Sequence, residues 1–272
     1  MKSMPLGKTI KLSLNYNPEL LLPIPRKSNR EKSGINDSLF DGYDIWNVYE
    51  LSWLDNFGKP EVRIIKIIYS CKSKYIVESK SLKLYLTSFN MTKFSNEDEV
   101  KKTITNDLNK ILETPLLKIF FYEYNTKIKY SKIPKKLLLD NLSVNIKSYK
   151  VDKSLLKKSK NKKKIIERYS HLIRSNCPIT NQPDWATIYI KYKSNYKIED
   201  KSLLEYIISY RNHPDFHESC CERIFHDIYS TINPSLLIVK CFYTRRGGID
   251  INPARFHGIL PDNKYNFHYW RQ

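Results

Sequence analysis

A thiol and a carboxyl group lie seven residues apart in one short stretch of this chain. Cys177 and Asp184 bound the sequence Cys-Pro-Ile-Thr-Asn-Gln-Pro-Asp, in which each proline holds the residue before it in an extended conformation. A thiolate can attack an electrophilic carbon, and a nearby carboxylic acid can supply the proton that the new anion needs. The stretch therefore suits nucleophilic catalysis, although a partly buried structural cysteine and a strand-edge aspartate would explain the same residues.

Two further stretches carry groups that suit ligand binding. In Arg245-Arg246-Gly247-Gly248, glycine allows close approach of the backbone and the arginine fork matches phosphate oxygens. An ordinary basic hairpin would explain these residues equally well.

In Phe216-His217-Glu218, the carboxylate beside an aromatic ring can accept from two adjacent N–H donors of a guanine-like edge. Its alternative role is that of a first-turn helix carboxylate.

An internal repeat organises the elements around these residues. The pattern Glu-x-Lys-Ser-Leu-x-x-Tyr-x-x-Ser-aromatic begins at Glu78 and begins again at Glu199. The spacing predicts an α+β fold made by tandem duplication, with modules at 1–150 and 151–272. The second copy carries Cys177 and Asp184, and the first copy has Lys83 where the second has Leu204. We expect one site built from both copies, in a cleft between them, with neutral decay of unused residues as the alternative.

Periodicity predicts the elements of each copy. A strand pair is predicted for residues 44–54 and 62–69 around a turn at 55–58, and another strand for 184–192. Apolar residues at helix spacing predict one helix through Val100, Ile104, Leu108, Ile111 and Leu112, and a second through Cys221, Ile224, Phe225 and Ile228. Strands at 116–124 and 236–243 follow them. Residues 165–172 have helix-like spacing, residues 1–40 look like an extended arm, and the lysine-rich residues 153–164 look like a solvated linker.

Composition limits the functional classes. The 272 residues carry a formal net charge of +19, but the lysine excess accompanies abundant Ile, Asn and Tyr, as A/T-rich codons also produce. Charge therefore supports polyanion binding only weakly, and we do not expect direct binding of nucleic acid. No apolar run approaches the ~18 residues of a membrane span, and residues 1–8 lack a signal core, so we expect a cytoplasmic protein without a membrane partner.

Cysteine and glycine usage is also informative. The odd count of five cysteines without a C-x-x-C pair argues against disulfides and a structural zinc site, so no metal is expected. With seven glycines and no G-x-G-x-x-G or Walker loop, any dinucleotide would bind in another manner than in a Rossmann fold.

Together, the Cys177 stretch, the Glu-Ser-Lys-Ser-x-Lys-x-Tyr block at Glu78, Phe216-His217-Glu218 and Arg245-Arg246-Gly247-Gly248 resemble the NADPH-dependent 7-cyano-7-deazaguanine reductases. The resemblance is to their longer two-module form and runs from about residue 20 to 253. It implies tandem tunnelling-fold modules, in which antiparallel sheets backed by helices assemble into a barrel, and it implies a homodimer. It also implies reduction of a nitrile to a primary amine with two NADPH, through a cysteine thioimide, in queuosine biosynthesis for tRNA modification.

The resemblance carries roles onto individual residues. It implies that Cys177 is the nucleophile and that Asp184 is the proton donor. It implies substrate contacts at Val77, Glu78, Ser79, His217 and Glu218, and NADPH contacts at Ser79, Lys80, Arg246 and Gly247. Two other classes stay open from the residues: a tunnelling-fold hydrolase, which would need a zinc site, and a basic RNA-binding module, which only the charge favours.

Overall fold

The computed structural model describes residues 15–162, 164–260 and 268–272. These residues form five α-helices: α1 Arg26–Lys32, α2 Ser79–Thr87, α3 Glu97–Leu112, α4 Asp200–Ser209 and α5 His217–Ile232. They form twelve strands: β1 Pro23–Pro25, β2 Asp41–Leu54, β3 Pro60–Ser70, β4 Tyr75–Val77, β5 Leu117–Tyr122, β6 Lys158–Lys160, β7 Ile165–Ser170, β8 Arg174–Asn176, β9 Pro183–Lys193, β10 Tyr196–Ile198, β11 Leu236–Tyr243 and β12 Ile249–His257. The fold is a mixture of α-helices and antiparallel sheets, as expected for the α+β class.

The chain forms two compact units, and neither unit is a single stretch of sequence. Unit 1 comprises the residues up to Asn29, Ile45–Lys127 and Arg245–Asp250. Unit 2 comprises Arg30–Asp44, Ile128–Thr244 and Ile251–Gln272. The predicted modules at 1–150 and 151–272 are continuous stretches of sequence, unlike these units, and they remain a prediction.

Unit 1 contains the predicted hairpin, which is confirmed. β2 and β3 are neighbours joined by a tight turn in which the Asp55 carboxylate accepts from the amides of Phe57 and Lys59, both at 2.9 Å. Gly58 completes the turn with a φ of 88°, which favours glycine. β5 pairs with β3 in antiparallel register and supplies the predicted third strand.

The predicted helix α3 is confirmed, and its ends explain its length. Asn96 is the N-cap, because its side chain accepts from the Glu99 amide at 2.9 Å. The helix ends at Glu113, which adopts a left-handed conformation. Its apolar stripe of Val100, Ile104, Leu108 and Leu112 is fully buried. Burial of each of these side chains stabilises the unit by roughly 1.5–3 kcal/mol.

Unit 2 contains a sheet with the strand order β12-β11-β9-β7, and β8 also pairs with β9. α5 packs against β11 through the predicted apolar residues Ile224, Phe225 and Ile228, all fully buried. The predictions of α5, β9 and β11 are therefore confirmed. β9 contains Asp184, the last residue of the Cys177 stretch. Its pairing with β11 on one side and with β7 on the other fixes its register.

The prediction of helix-like structure at residues 165–172 is wrong. The segment forms strand β7, whose residues from Ile165 to Ser170 pair with Lys193 to Ile188 of β9. Its apolar residues recur at helical spacing, but pairing with β9 satisfies the backbone and packs the Tyr169 ring against the tilted Tyr189 ring with centroids 4.7 Å apart. A strand partner that is distant in sequence outweighs the local pattern.

Two segments that looked irregular are more ordered than expected. The lysine-rich segment forms a 3-10 turn at Lys153–Leu155 and the strand β6, which pairs with β10. The described part of the N-terminal arm likewise forms a 3-10 turn at Pro18–Leu20, then β1, which pairs with β4, and helix α1. Neither segment is only a linker or an extended arm. Residues 1–14 of the arm and Lys163 lie outside the described residues.

The repeated block has the same local geometry in both units. Glu78 precedes α2 with φ −69° and ψ 132°, and Glu199 precedes α4 with φ −65° and ψ 131°. The Ser81 hydroxyl donates to the Glu78 carbonyl at 2.7 Å, and the Ser202 hydroxyl donates to the Glu199 carbonyl at 2.9 Å. Each block therefore begins its helix with the same serine contact.

The tyrosine of each block also plays the same part. Tyr85 donates to Asp107 on α3, and Tyr206 donates to Asp227 on α5, both at 2.6 Å. These bonds tie each short helix to the long helix that follows it in the same unit.

Candidate active site

The Cys177 stretch is the loop of a hairpin between β8 and β9. Ser175 pairs with Asp184 across the hairpin, and the Cys177 amide donates to the Gln182 carbonyl at 2.9 Å. Asn181 adopts a φ of 53°, a conformation that asparagine tolerates, and its amide donates back to the Cys177 carbonyl at 3.0 Å. The loop presents Cys177 partly exposed at its start.

Asp184 lies at the other end of the hairpin and is buried, with 7% of its surface exposed. Its Oδ2 atom lies 3.4 Å from Nε2 of His217, the first residue of α5. The His217 ring stacks on Tyr243 with a centroid distance of 3.7 Å and an interplanar angle of 11°. Burial raises the pKa of Tyr243 well above its usual value, so the phenol stays neutral beneath the imidazole.

Unit 2 thus brings together three of the predicted site residues. His217 contacts Asp184, and Glu218 follows His217 in the first turn of α5, where its side chain is buried. Phe216 begins this helix without a side-chain cap, unlike Asn96 in α3. A carboxylate in a first turn is favoured by the helix dipole, so the structural role of Glu218 is compatible with a role in binding.

Unit 2 has another cysteine near the start of α5, Cys220, which is less exposed than Cys177. It is fully buried on α5, and burial raises its pKa well above the usual value of a thiol. A thiol that stays protonated is a poor nucleophile. Partial exposure therefore distinguishes Cys177 from Cys71, Cys220, Cys221 and Cys241, all of which are buried.

In unit 1, the predicted substrate and cofactor residues surround the start of α2. Glu78 is the N-cap: its carboxylate accepts from the Lys80 amide at 3.0 Å and from the Ser81 amide at 2.7 Å. Ser79 Oγ lies 3.5 Å from the same carboxylate, and Val77 is buried at the end of β4. The Glu78 carboxylate already accepts from the free amides at the start of α2. An anion bound at this end of the helix would therefore be held by side chains and not by these amides.

The predicted cofactor turn, residues 245–248, lies beside α2. It contacts the helix at Lys83, which is one helical turn after Ser79 and Lys80. Gly247 and Gly248 have φ values of 59° and 78°, and the backbone groups of Arg246 and Ile249 bond to each other at 2.9 and 3.2 Å. The Lys83 ammonium contacts the Gly247 carbonyl and the Glu50 carboxylate. The structure therefore connects the helix of Ser79 and Lys80 with the turn of Arg246 and Gly247.

Several supporting residues of this turn were missed by sequence reasoning. Tyr49 donates to the Asp250 carboxylate at 2.7 Å, its amide donates to Gly248, and its ring lies 3.3 Å from the Arg245 guanidinium carbon. Asn47 donates to the same carboxylate at 2.7 Å. The one available signal was Lys83, which differs between the two copies. The other contacts join residues about 200 positions apart, which no local pattern indicates.

A dinucleotide fits this chemistry, because a basic turn with two positive-φ glycines can approach phosphate oxygens closely. No three His, Cys, Asp or Glu side chains converge on a possible metal position in the part of the chain that the structure describes. None of the helices within residues 15–162, 164–260 and 268–272 is long and apolar enough to cross a bilayer.

Comparison with known proteins identifies the family. Residues 13–119 match the family model described as nitrile reductase, 7-cyano-7-deazaguanine-reductase N-term, and residues 183–259 match the one described as QueF-like protein. A protein of Coxiella burnetii (strain CbuK_Q154) named NADPH-dependent 7-cyano-7-deazaguanine reductase is 47% identical over 255 residues, which cover 92% of this chain and 90% of that protein. The chain belongs to the 7-cyano-7-deazaguanine reductase family. The membership predicted from the motifs is confirmed, and with it the class of NADPH-dependent oxidoreductases.

Other members of the reductase family match over the same extent. A protein of the same name from Desulfotalea psychrophila is 44% identical, with 93% of this chain and 92% of that protein covered. The one from Dechloromonas aromatica is 42% identical, with 95% and 93% covered. A solved structure of the archaeosine synthase QueF-Like in its apo form has a TM-score of 0.32 at 17% identity, and it covers 36% of this chain and 95% of its own.

Proposed function

We propose that this chain reduces the nitrile of 7-cyano-7-deazaguanine to the primary amine of 7-aminomethyl-7-deazaguanine, in queuosine biosynthesis. The observation that carries the proposal is the hairpin of Cys177 and Asp184, with His217 beside it, in a chain that matches named reductases over more than nine-tenths of its length. Of the five cysteines, the one in this hairpin is partly exposed.

Cys177 is the proposed nucleophile. Its thiolate adds to the nitrile carbon, one π bond of the nitrile breaks, and the nitrogen gains a proton to give a thioimide. Asp184 is the proposed donor of that proton. Its burial limits competition from water, and the contact with His217 at 3.4 Å holds the carboxyl group in one orientation.

Recognition of the deazaguanine ring is assigned to Val77, Glu78 and Ser79 in unit 1 and to His217 and Glu218 in unit 2. The Glu78 carboxylate already accepts two backbone N–H groups, so it would bind the substrate through its remaining lone pairs. The His217–Tyr243 stack supplies a flat apolar surface of the kind on which a purine-like ring packs.

Binding of NADPH is assigned to Ser79, Lys80, Arg246 and Gly247. When bound, NADPH supplies hydride, and reduction of a nitrile to an amine takes two hydrides and two protons, hence two NADPH per turnover. The support for this assignment in unit 1 is the contact of Lys83 with Gly247, which ties the helix of Ser79 and Lys80 to the glycine turn.

The architecture belongs to the same proposal. We infer two tandem tunnelling-fold modules in a cytoplasmic homodimer, as the family resemblance implies. The shared geometry of Glu78 and Glu199, and of Tyr85 and Tyr206, supports descent from one duplicated unit.

The decisive experiment measures NADPH oxidation when 7-cyano-7-deazaguanine is added to the purified protein. Two NADPH should be consumed per amine formed, and absence of oxidation would refute the proposed activity. Mass spectrometry should also detect one substrate adduct on Cys177 without NADPH. Cys177→Ala should lose both adduct and activity, whereas Cys71→Ala, which changes a buried cysteine of unit 1, should keep both.

A further inference from the structure

Trp185 follows the proposed proton donor and lies at the centre of a group of arginines. Side chains alternate along a strand, so Trp185 and Asp184 point to opposite faces of β9. The guanidinium carbons of Arg174, Arg211 and Arg271 lie 5.7, 5.3 and 5.7 Å from the Trp185 ring centroid. We call these four residues the arginine cluster, and all four belong to unit 2.

The three arginines come from three separate parts of unit 2. Arg174 on β8 is the strand partner of Trp185, and Arg211 lies in the 3-10 turn Tyr210–Asn212 after α4. Arg271 belongs to the C-terminal segment, and its Nη1 atom donates to the His171 carbonyl at 2.7 Å. Three independent backbone segments thus bring positive charge to one indole ring.

The charges in the arginine cluster are not balanced locally. Among the residues that the structure describes, no carboxylate lies within ion-pair distance of Arg174, Arg211 or Arg271. Other arginines of unit 2 do have such partners: Arg168, for example, binds Asp200 at 2.8 and 3.0 Å. Cation–π contacts compensate like-charge repulsion only in part, because each contributes about 0.5–1 kcal/mol at an exposed site.

Arg174 has spare hydrogen-bonding capacity. Its Nη2 atom donates to the Asn176 side chain at 3.2 Å, whereas its Nε atom is buried and has no acceptor among the described residues. The Arg174 and Arg211 side chains are partly exposed and Arg271 is exposed, so an anion from solvent can reach the group. A buried N–H without an acceptor in a cationic group favours an oxyanion as the missing partner.

We propose that the arginine cluster is a binding site for a phosphate or pyrophosphate group. The planar fork of arginine binds phosphate oxygens through two parallel hydrogen bonds, and stacking on Trp185 limits the orientations of each fork. The site is additional to the proposed NADPH contacts at Lys80 and Arg246. Its occupant is either a phosphate group of NADPH or a free phosphate compound, and these have the same chemistry.

Calorimetric titration of the full chain with inorganic pyrophosphate tests the site independently of catalysis. Arg211→Gln and Arg271→Gln should each weaken pyrophosphate binding about tenfold, because each removes a charge-assisted contact of the kind worth roughly one factor of ten. Lys197→Gln removes the same charge from the exposed strand β10 of the same unit and should bind as the unchanged chain does.

Two outcomes would overturn the site: pyrophosphate binding that is unchanged in both arginine variants, or binding that weakens equally in Lys197→Gln. Thermal unfolding checks that each variant is folded, and Arg211→Gln keeps the test independent of the bond between Arg271 and the His171 carbonyl.

A competition experiment identifies the occupant. If pyrophosphate competes with NADPH, and Arg271→Gln raises the KM for NADPH without changing kcat, the occupant is a phosphate group of NADPH. If pyrophosphate binds without competing, the occupant is a free phosphate compound. Because binding is measured without substrate, loss of the arginine cluster and failure of the proposed nitrile reduction give separate results.

Discussion

At the scale of single residues, the short motifs predicted where the chemistry lies, but they did not predict what supports it. Cys177 and Asp184 are close in sequence, and the two prolines between them indicated an extended stretch, but not the strand β8 that completes the hairpin. The contact of Asp184 with His217, 33 positions later, depends on where α5 begins relative to β9. Arg271 approaches Trp185 only because the C-terminal segment folds back onto the unit.

Asp184→Asn tests the role of the proton donor. The amide keeps the shape of the side chain but cannot donate a carboxylic proton, so kcat should fall by about 10²–10⁴ while substrate still binds. Steady-state kinetics measure kcat, and an equilibrium binding experiment measures the Kd of the substrate. Asp200→Asn is the control, because Asp200 pairs with Arg168 on the same unit away from the hairpin. Equal turnover in Asp184→Asn and the unchanged chain would remove Asp184 from this role.

At the scale of elements, periodicity predicted the elements that have a regular pattern of apolar residues. α3 and the β2–β3 hairpin also have a clear cap and a clear turn. α5 has no side-chain cap at its start, and its apolar residues alone predicted it. β7 was missed because its pairing with β9 spans the Cys177 hairpin, and β6 was missed because lysine-rich composition hides a strand. Each unit nevertheless contains a 3-10 turn followed by a short strand, at Pro18–Leu20 with β1 and at Lys153–Leu155 with β6.

Glu78→Ala should destabilise unit 1 through loss of a helix cap. Its carboxylate binds two amides at the start of α2, and such caps contribute about 1 kcal/mol. Glu199→Ala is the matched control, because Glu199 occupies the same position before α4 with the same backbone angles but makes no side-chain cap bond. Urea unfolding should show a lower free energy of unfolding for Glu78→Ala and no measurable change in it for Glu199→Ala. A loss of equal size in both would show that the cap bond is not its cause.

At the scale of the whole molecule, two features could not be read from the sequence: the division of the chain and its buried charges. Glu222 accepts from Arg30 at 2.8 Å and from Arg255 at 2.8 and 3.1 Å, and Arg255 also donates to Asp44 at 2.8 Å. All four side chains are buried in unit 2, although they span more than 200 positions. Charged residues carry no apolar pattern, so periodicity gave no indication that these four would be buried.

Glu222→Gln should destabilise unit 2 strongly. The change removes the carboxylate that Arg30 and Arg255 share and leaves them with Asp37 and Asp44 respectively, a loss of up to about 3–5 kcal/mol. Glu167→Gln is the control, because Glu167 forms a partly exposed pair with Lys191 and should cost less than about 1 kcal/mol. Chemical denaturation of both variants measures the difference, and similar values for the two would mean that the buried network is dispensable.

Lys66 should make the stability of unit 1 depend on alkaline pH. Burial lowers the pKa of Lys66 from its ordinary 10.5 to about 8, against the opposing effect of Asp250. Because the unfolded chain binds this proton more tightly, the charged lysine costs stability below pH 8, and the cost is relieved as pH rises from about 8 to 10.5.

Comparison with Lys66→Met isolates this dependence. The free energy of unfolding of the unchanged chain should increase relative to that of Lys66→Met between pH 8 and about 10. Lys110→Met, at an exposed position on α3, should show no such trend. Urea unfolding at several pH values measures both, and a relative decrease would mean that the shift has the opposite sign.

The interleaving of the two units has a consequence for synthesis on the ribosome. Unit 1 needs Arg245–Asp250, and unit 2 needs Arg255 beside Asp44 and Glu222, so neither unit is complete until residues 245–255 have been translated. Domains of most proteins fold one after another as the chain emerges. Here both units must wait for residues 245–255, and a ribosome that stalls before them releases two incomplete folds instead of one finished domain.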